Sequence, residues 1–193
     1  MFFIEIPIRK GDADYDYYNI AFPFSKETGG YLLINPQIRR ISMRTVTLKP
    51  IDESNFLDAF ALKLAPGQEA FVSHPIRSLA QAYVYYHQCT PFGIYQDGTM
   101  VGYVMVIYDY DLEEYNIWHM MIDASFQGKG FGRQAVECCL DYIAAAPFGP
   151  SRRVVLTCNA RNTAALHLYR SLGFTETGNR DEDEIELAKV LEE

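Results

Sequence analysis

The 193-residue chain is short of several things, and each shortage excludes a class of protein. Its four cysteines, Cys89, Cys138, Cys139 and Cys158, form no C-x-x-C pair, and two of them are neighbours, which argues against a disulfide framework and against a zinc site. Long apolar runs are missing. The longest stretch free of Asp, Glu, Lys and Arg, residues 78–96, contains His87, Gln88 and Pro91 and is too polar to span a bilayer. The opening MFFIEIPIRK carries Glu5 and Pro7 inside its apolar run and has no small-residue cleavage site, so no signal peptide is expected and a reducing cytoplasm is the expected compartment. Low-complexity tracts are absent, and with 49% hydrophobic and 22% charged residues the chain reads as globular. Basic charge is in short supply, 17 groups against 25 acidic ones for a net charge of -8. Residues 1–43 hold five of each sign, so the whole excess falls in residues 44–193. A field of that sign repels phosphate backbones and anionic lipid, arguing against nucleic acid and membrane as partners, and it favours a cationic one.

What is present divides the chain in two. Residues 1–43 are rich in Tyr and Phe, with two possible short strands at 2–8 and 31–34, and carry no assignable chemistry. They read as an N-terminal extension, with Met43 as the effective start of a working domain over residues 44–193. There the pattern becomes regular. RTVTLK at 44–49 alternates as a half-buried strand. Asp52 or Ser54 is placed to cap a helix with Phe56, Leu57, Phe60, Ala61 and Leu64 on its apolar face, and a second helix is expected over 76–86. Runs at 91–95 and 99–108 meet at Asp97-Gly98, a dipeptide that tolerates the positive φ angles of a type I′ hairpin turn, and a third run covers 114–122. From Gly130 the period becomes helical, then come a strand at 153–158, a helix over about 162–172 closed by Gly173, and two last strands at 175–177 and 184–187 around an acidic turn. The expected fold is a mixed α/β (α+β) sheet, an antiparallel meander in its first half and β-α-β-α-β-β in its second, with helices on both faces.

The segment Gln127-Gly128-Lys129-Gly130-Phe131-Gly132-Arg133 lies between a strand and a helix. Glycines there let the backbone approach a ligand, the unpaired amides of the first helical turn face outward, and the positive end of the helix dipole lies behind them, a geometry suited to pyrophosphate. Lys129 and Arg133 would add charge at the rim. The spacing fits neither a G-x-G-x-x-G dinucleotide fingerprint nor a Walker loop, and taken alone it is a weak signal that also suits a flexible turn with glycines needed for close strand-helix packing.

Gln127, Gly130 and Gly132, placed after the strand, resemble the Gln-x-x-Gly-x-Gly acetyl-CoA loop of the GNAT superfamily of N-acetyltransferases. Asn162-Thr163-Ala164-Ala165-Leu166-His167-Leu168-Tyr169 through Gly173-Phe174 resembles that family's N-x-x-A-x-x-L-Y-x-x-x-G-F helix. The wider stretch 44–190, with SLAQAYVYY, PFGIYQDGTMVGYVM and MIDASFQGKGFG, is similar to the bacterial spermine/spermidine (diamine) acetyltransferase branch. The resemblance implies an acyltransferase using acetyl-CoA as co-substrate, with no metal. Its acceptor would be a primary amine of a small cationic substrate such as a polyamine, attacking directly in a ternary complex. The rival readings are a peptide N-terminal acetyltransferase of the same superfamily and a non-catalytic acyl-CoA-binding module. A homodimer is allowed for.

By the same likeness, backbone groups of Met120, Met121 and Ile122 pair with the pantetheine arm, Gln127 to Arg133 hold the pyrophosphate, and Asn162 contacts the cofactor. Tyr169 is implied to be the general acid that protonates the leaving thiolate. The base is less defined, because the strand glutamate of related animal polyamine acetyltransferases is replaced at its register by Trp118. Glu114, His119 and Glu69 are the substitutes, Glu114 first because it stands beside the acidic run Asp109, Asp111 and Glu113. Strict alternation puts His119 on the opposite face from Trp118. Tyr83, Tyr85, Tyr86 and Trp118 are candidates for a cation-binding wall, although the three tyrosines equally suit a core helix.

Overall fold

The computed structural model describes residues 44–192; the extension and its two expected strands lie outside the described residues. Seven strands form one mixed sheet, β1 (Val46–Pro50), β2 (Cys89–Gln96), β3 (Thr99–Asp109), β4 (Glu114–Ile122), β5 (Arg153–Asn159), β6 (Thr175–Asp181) and β7 (Glu184–Val190), in the order β1-β2-β3-β4-β5-β7-β6. Among the described residues four α-helices accompany them: α1 (Phe56–Ala61), α2 (Pro75–Val84), α3 (Phe131–Ala144) and α4 (Thr163–Ser171). The mixed sheet, the meander and the helices on both faces are as the sequence predicts. Asp97 and Gly98 take φ of 47° and 80° in the two-residue turn between β2 and β3, as a type I′ hairpin requires.

Two cores divide the described residues. On one face, Val104, Val106, Tyr115 and Ile117 pack with Leu156 and Leu187 against Ala135, Val136, Cys139 and Ile143 of α3 and Leu166 of α4. On the other, Tyr103, Met105 and Met121 pack against Ala59, Leu62 and Ala82 of the α1–α2 region. The first helix differs from its predicted apolar face. Its N-cap is Asn55, while Asp52 instead accepts from the backbone N–H and hydroxyl of Ser54. A helix of only six residues buries little, and the positions that enter the core are Ala59 and Leu62, whereas Leu57 is 64% exposed. In the last hairpin, β6 extends through the expected acidic turn, which shrinks to Glu182 and Asp183, with Glu182 at φ 50°.

The feature that shapes function is where pairing stops. β4 and β5 run parallel but are paired only at Tyr115–Val154 and Asn116–Val155; beyond that point the two strands separate. The β5 side of β4 from Ile117 to Ile122 is therefore an unpaired backbone edge within the sheet, which demands a partner.

Candidate active site

The parting strands open a cleft of about 1020 Å³. The edge of β4 runs along it, the α3 loop closes one end, and α4, the end of β5 and the segment from Leu64 to Arg77 form its walls. Of the residues expected to hold a cofactor, all but Lys129 line it.

At the loop, Gly128 and Gly130 take φ of 75° and 81°, conformations that cost an L-residue about 1–2 kcal/mol. Gly130 is the N-cap of α3 and offers no side-chain cap, so the first amides of this 14-residue helix remain open to an anion. The loop side chains are engaged with the protein. Gln127 donates to the Ile122 carbonyl at 2.9 Å and to Gln68 Oε1 at 2.8 Å, tying the end of β4 to the cleft wall. Lys129 donates to the Ser125 carbonyl at 3.1 Å and lies over the Phe126 ring, while Arg133 donates to Ser171 Oγ. The backbone, more than these side chains, is what the loop presents. Asn162 likewise has a local task, accepting from Ala165 N–H at 3.2 Å as the N-cap of α4, with its amide N–H groups making no bond among the described residues.

Tyr169 of α4 lines the cleft and packs edge-on against Phe174 with ring centroids 6.0 Å apart. Its hydroxyl makes no hydrogen bond among the described residues. Burial first, then the neighbouring Cys158 and Cys139, holds its phenol well above the ordinary value, so it keeps its proton at any physiological pH.

Glu114 does not reach the cleft. It is buried at the closed end, where Arg153 Nε donates to its carboxylate at 2.7 Å, and Arg153 also faces Glu186 at 3.7 Å. The acidic run beside it is an ordinary turn, in which Asp109 accepts from the N–H groups of Asp111 and Leu112. Pairing of β4 with β3 and β5 places the turn at the end of the strand away from the opening, so the run does not line the mouth. Glu69 lines the cleft and accepts from Gly67 N–H at 2.9 Å.

Strict alternation fails at His119. The register of β4 on β3 shifts between Met105–His119 and Val106–Ile117, leaving Trp118 unpaired in a bulge. The bulge turns Trp118 and His119 to the same side, with rings stacked 4.8 Å apart at 19°. Burial, with Arg77 nearby, pushes the His119 imidazole down to about 4, so it is neutral near pH 7. Of the tyrosines, Tyr85 packs on Trp118 with centroids 5.6 Å apart, but Tyr83 and Tyr86 are 83% and 64% exposed and belong neither to a core nor to the cleft.

One lining carboxylate escaped the sequence reading. Glu184, first residue of β7, stands opposite Asn159 at the end of β5 and enters the cleft. Its place among acidic turn residues hides it in the sequence; only the register of β7 on β5 brings it in. No cluster of three or more His, Cys, Asp or Glu able to hold a metal occurs among the described residues, and no helix there is long and apolar enough to cross a membrane.

Comparison with known proteins agrees with this geometry. Residues 57–174 match the sequence profile described as the acetyltransferase (GNAT) family. The spermine/spermidine N(1)-acetyltransferase of Bacillus subtilis (strain 168) is 25% identical over 143 residues, 71% of this chain and 92% of that protein. The N-alpha-acetyltransferase RimI of Mycobacterium tuberculosis is 33% identical over 90 residues, 46% of this chain and 53% of its own length. The crystal structure of spermidine N-acetyltransferase from Vibrio cholerae in complex with CoA and spermine superposes with a TM-score of 0.58 at 20% identity, over 76% of this chain and 95% of the other.

Proposed function

The chain belongs to the acetyltransferase (GNAT) family, and with acetyl-CoA-dependent N-acetylation as the premise we propose that its acceptor is a small cationic primary amine, attacked directly in a ternary complex. The observation that carries the reading is the unpaired edge of β4 ending at the open amides of α3. Acetyl-CoA supplies a thioester whose acyl carbon accepts an amine. The edge from Ile117 to Ile122, about 17 Å at strand rise, would bind its arm as an added strand, and the amides of the first turn of α3 would hold its pyrophosphate. An arm running from that loop along β4 brings the reacting end to Trp118 and His119. There, backbone N–H groups of the bulged strand are available to a developing oxyanion, and Tyr169, holding its proton, protonates the departing sulfur.

The acceptor is approached through the opposite face of the sheet. On that face α1 packs on β3 and α2 on β2. Alternation places Glu114, Glu184 and Glu186 there with Arg153, while Arg77 stands at the cleft wall, which leaves a carboxylate excess that favours a cation. A polyamine such as spermine or spermidine is therefore the first acceptor to assay, a choice that the Bacillus subtilis relative supports. A peptide N-terminal amine is the second reading, favoured by the match to RimI and by Arg77, a cation at the cleft wall suited to a peptide carbonyl or carboxylate. Purified protein with acetyl-CoA and a panel of polyamines and peptides, followed by thiol release, tests the proposal. Polyamines should outcompete peptides; binding of acetyl-CoA without thiol release from any acceptor would leave a non-catalytic acyl-CoA-binding module as the correct reading. Residues 1–43 are proposed to be an extension to the catalytic domain, checked by whether a chain starting at Met43 keeps its turnover.

A further inference from the structure

An alkyl ammonium with a pKa of about 10.4 cannot attack until its nitrogen has lost a proton, and Trp118 in the bulge of β4 offers no group to take it. The candidates are few. Glu114 is spent on Arg153 outside the cleft. His119 is neutral but held so by burial and Arg77, the same forces that oppose its gaining a proton, and its Nδ1 is buried without a partner among the described residues. Among the described residues only two carboxylates line the cleft, Glu69 and Glu184. Glu69 closes its own turn through Gly67, beside Gln68, which is bonded to the cofactor loop at Gln127. Glu184 is different. It is half-buried, has no ion-pair or hydrogen-bond partner among the described residues, and belongs to the face of the sheet from which the acceptor approaches. Its charge is felt at Cys158, which in turn neighbours Tyr169. The groups around it are Asp181 opposite on β6, Asp183 of the turn bound to Arg161, Glu186 on its own strand facing Arg153, Cys158 of β5 and Tyr169 of α4, with His119 and Arg77 across the cleft.

We infer that Glu184 is the proton acceptor for the acceptor amine, anchoring the ammonium in the cleft and taking its proton directly or through one water. The inference rests on the acetyl-transfer reading above. In balance, Glu184 takes the first proton as the nitrogen lone pair is freed, and that nitrogen bonds the acyl carbon. Tyr169 gives its proton to sulfur as the carbon–sulfur bond breaks, and it is restored by the second proton lost from nitrogen. The proton on Glu184 passes to solvent.

The test is the pH profile of kcat/KM for spermidine with wild type, Glu184→Gln and Glu184→Asp, alongside a weakly basic arylamine that is already neutral at pH 7. With Glu184 present the spermidine profile should be flat from pH 7 to 9, because the ammonium is the form consumed. Glu184→Gln should rise about tenfold per pH unit, since only free amine then reacts, with a loss of about 10²–10³-fold at pH 7 and less than about fivefold for the arylamine. Glu184→Asp should recover part of the loss. Acetyl-CoA affinity by calorimetry and the melting temperature should match wild type, which separates a lost base from a lost fold. A flat profile in Glu184→Gln within threefold of wild type overturns the inference and leaves acetyl transfer standing. A wild type that releases no thiol with any amine overturns both.

Discussion

Replacing Tyr169 with Phe removes one hydroxyl from the cleft and leaves the ring in its packing against Phe174. Because that hydroxyl has no partner among the described residues, its loss strands no buried group, and stability should change by no more than about 0.5 kcal/mol. The effect on rate follows from the leaving group. A general acid contributes about 10²–10⁴-fold, equivalent to about 2.7–5.4 kcal/mol. A thiol with a pKa of about 8.5 leaves as a thiolate only moderately unstable at pH 7.5, which places the expected loss in the lower part of that range, about 10²–10³-fold in kcat. Single-turnover thiol release at saturating acetyl-CoA and spermidine isolates the chemical step from product release. Calorimetric acetyl-CoA binding should stay within about twofold, since the arm is held by backbone groups. In wild type, burial raises the phenol's pKa, so no alkaline limb from Tyr169 should appear below about pH 10. A kcat for Tyr169→Phe within threefold of wild type would remove Tyr169 from the mechanism.

Three further substitutions probe the scaffold. A methyl group on Gly102 would collide with the Met121 carbonyl oxygen and stand 3.2 Å from Ile122 Cα, so Gly102→Ala must push the β4 edge, with about 1–3 kcal/mol lost in denaturant unfolding and a raised KM for acetyl-CoA. Glu114→Gln should lose about 1 kcal/mol of stability through the weakened pair with the half-exposed Arg153, yet keep kcat/KM within threefold; a loss above a hundredfold would restore Glu114 as the base. His119 has its folded-state pKa depressed from 6.5 to about 4, so the stability it contributes is full above pH 6.5 and is lost as pH falls toward 4. The loss is about 3 kcal/mol at most, and less after solvent screening; His119→Gln should flatten the melting-temperature profile across that window, and an unchanged slope would contradict it.

Most of the fold was legible because its signals are local. The Asp97-Gly98 turn, the switch of period at Gly130 and the Gly173 cap each act within a few residues, and the structure follows them. α1 departs from its apolar pattern because six residues cannot impose a face, and tertiary contacts chose Ala59 and Leu62. The loop and Tyr169 were legible as motifs, but the partners of Gln127, Lys129 and Arg133 were not, since each depends on neighbours in the folded chain. His119 departs from strict alternation because of a bulge, which has no signature in an apolar strand. Glu184 was missed for a similar reason. Nothing in RDEDE distinguishes it from its neighbours until β7 pairs with β5.

The central claim is that the open edge of β4 and the first turn of α3 bind acetyl-CoA as an added strand with its pyrophosphate at a helix N-terminus. Amide hydrogen exchange with and without acetyl-CoA tests it most directly. Protection should rise in 117–122 and 128–133 together, while β1 and β6 stay unchanged. Protection confined to any other surface, or none in 117–122 at saturating acetyl-CoA, would contradict the claim.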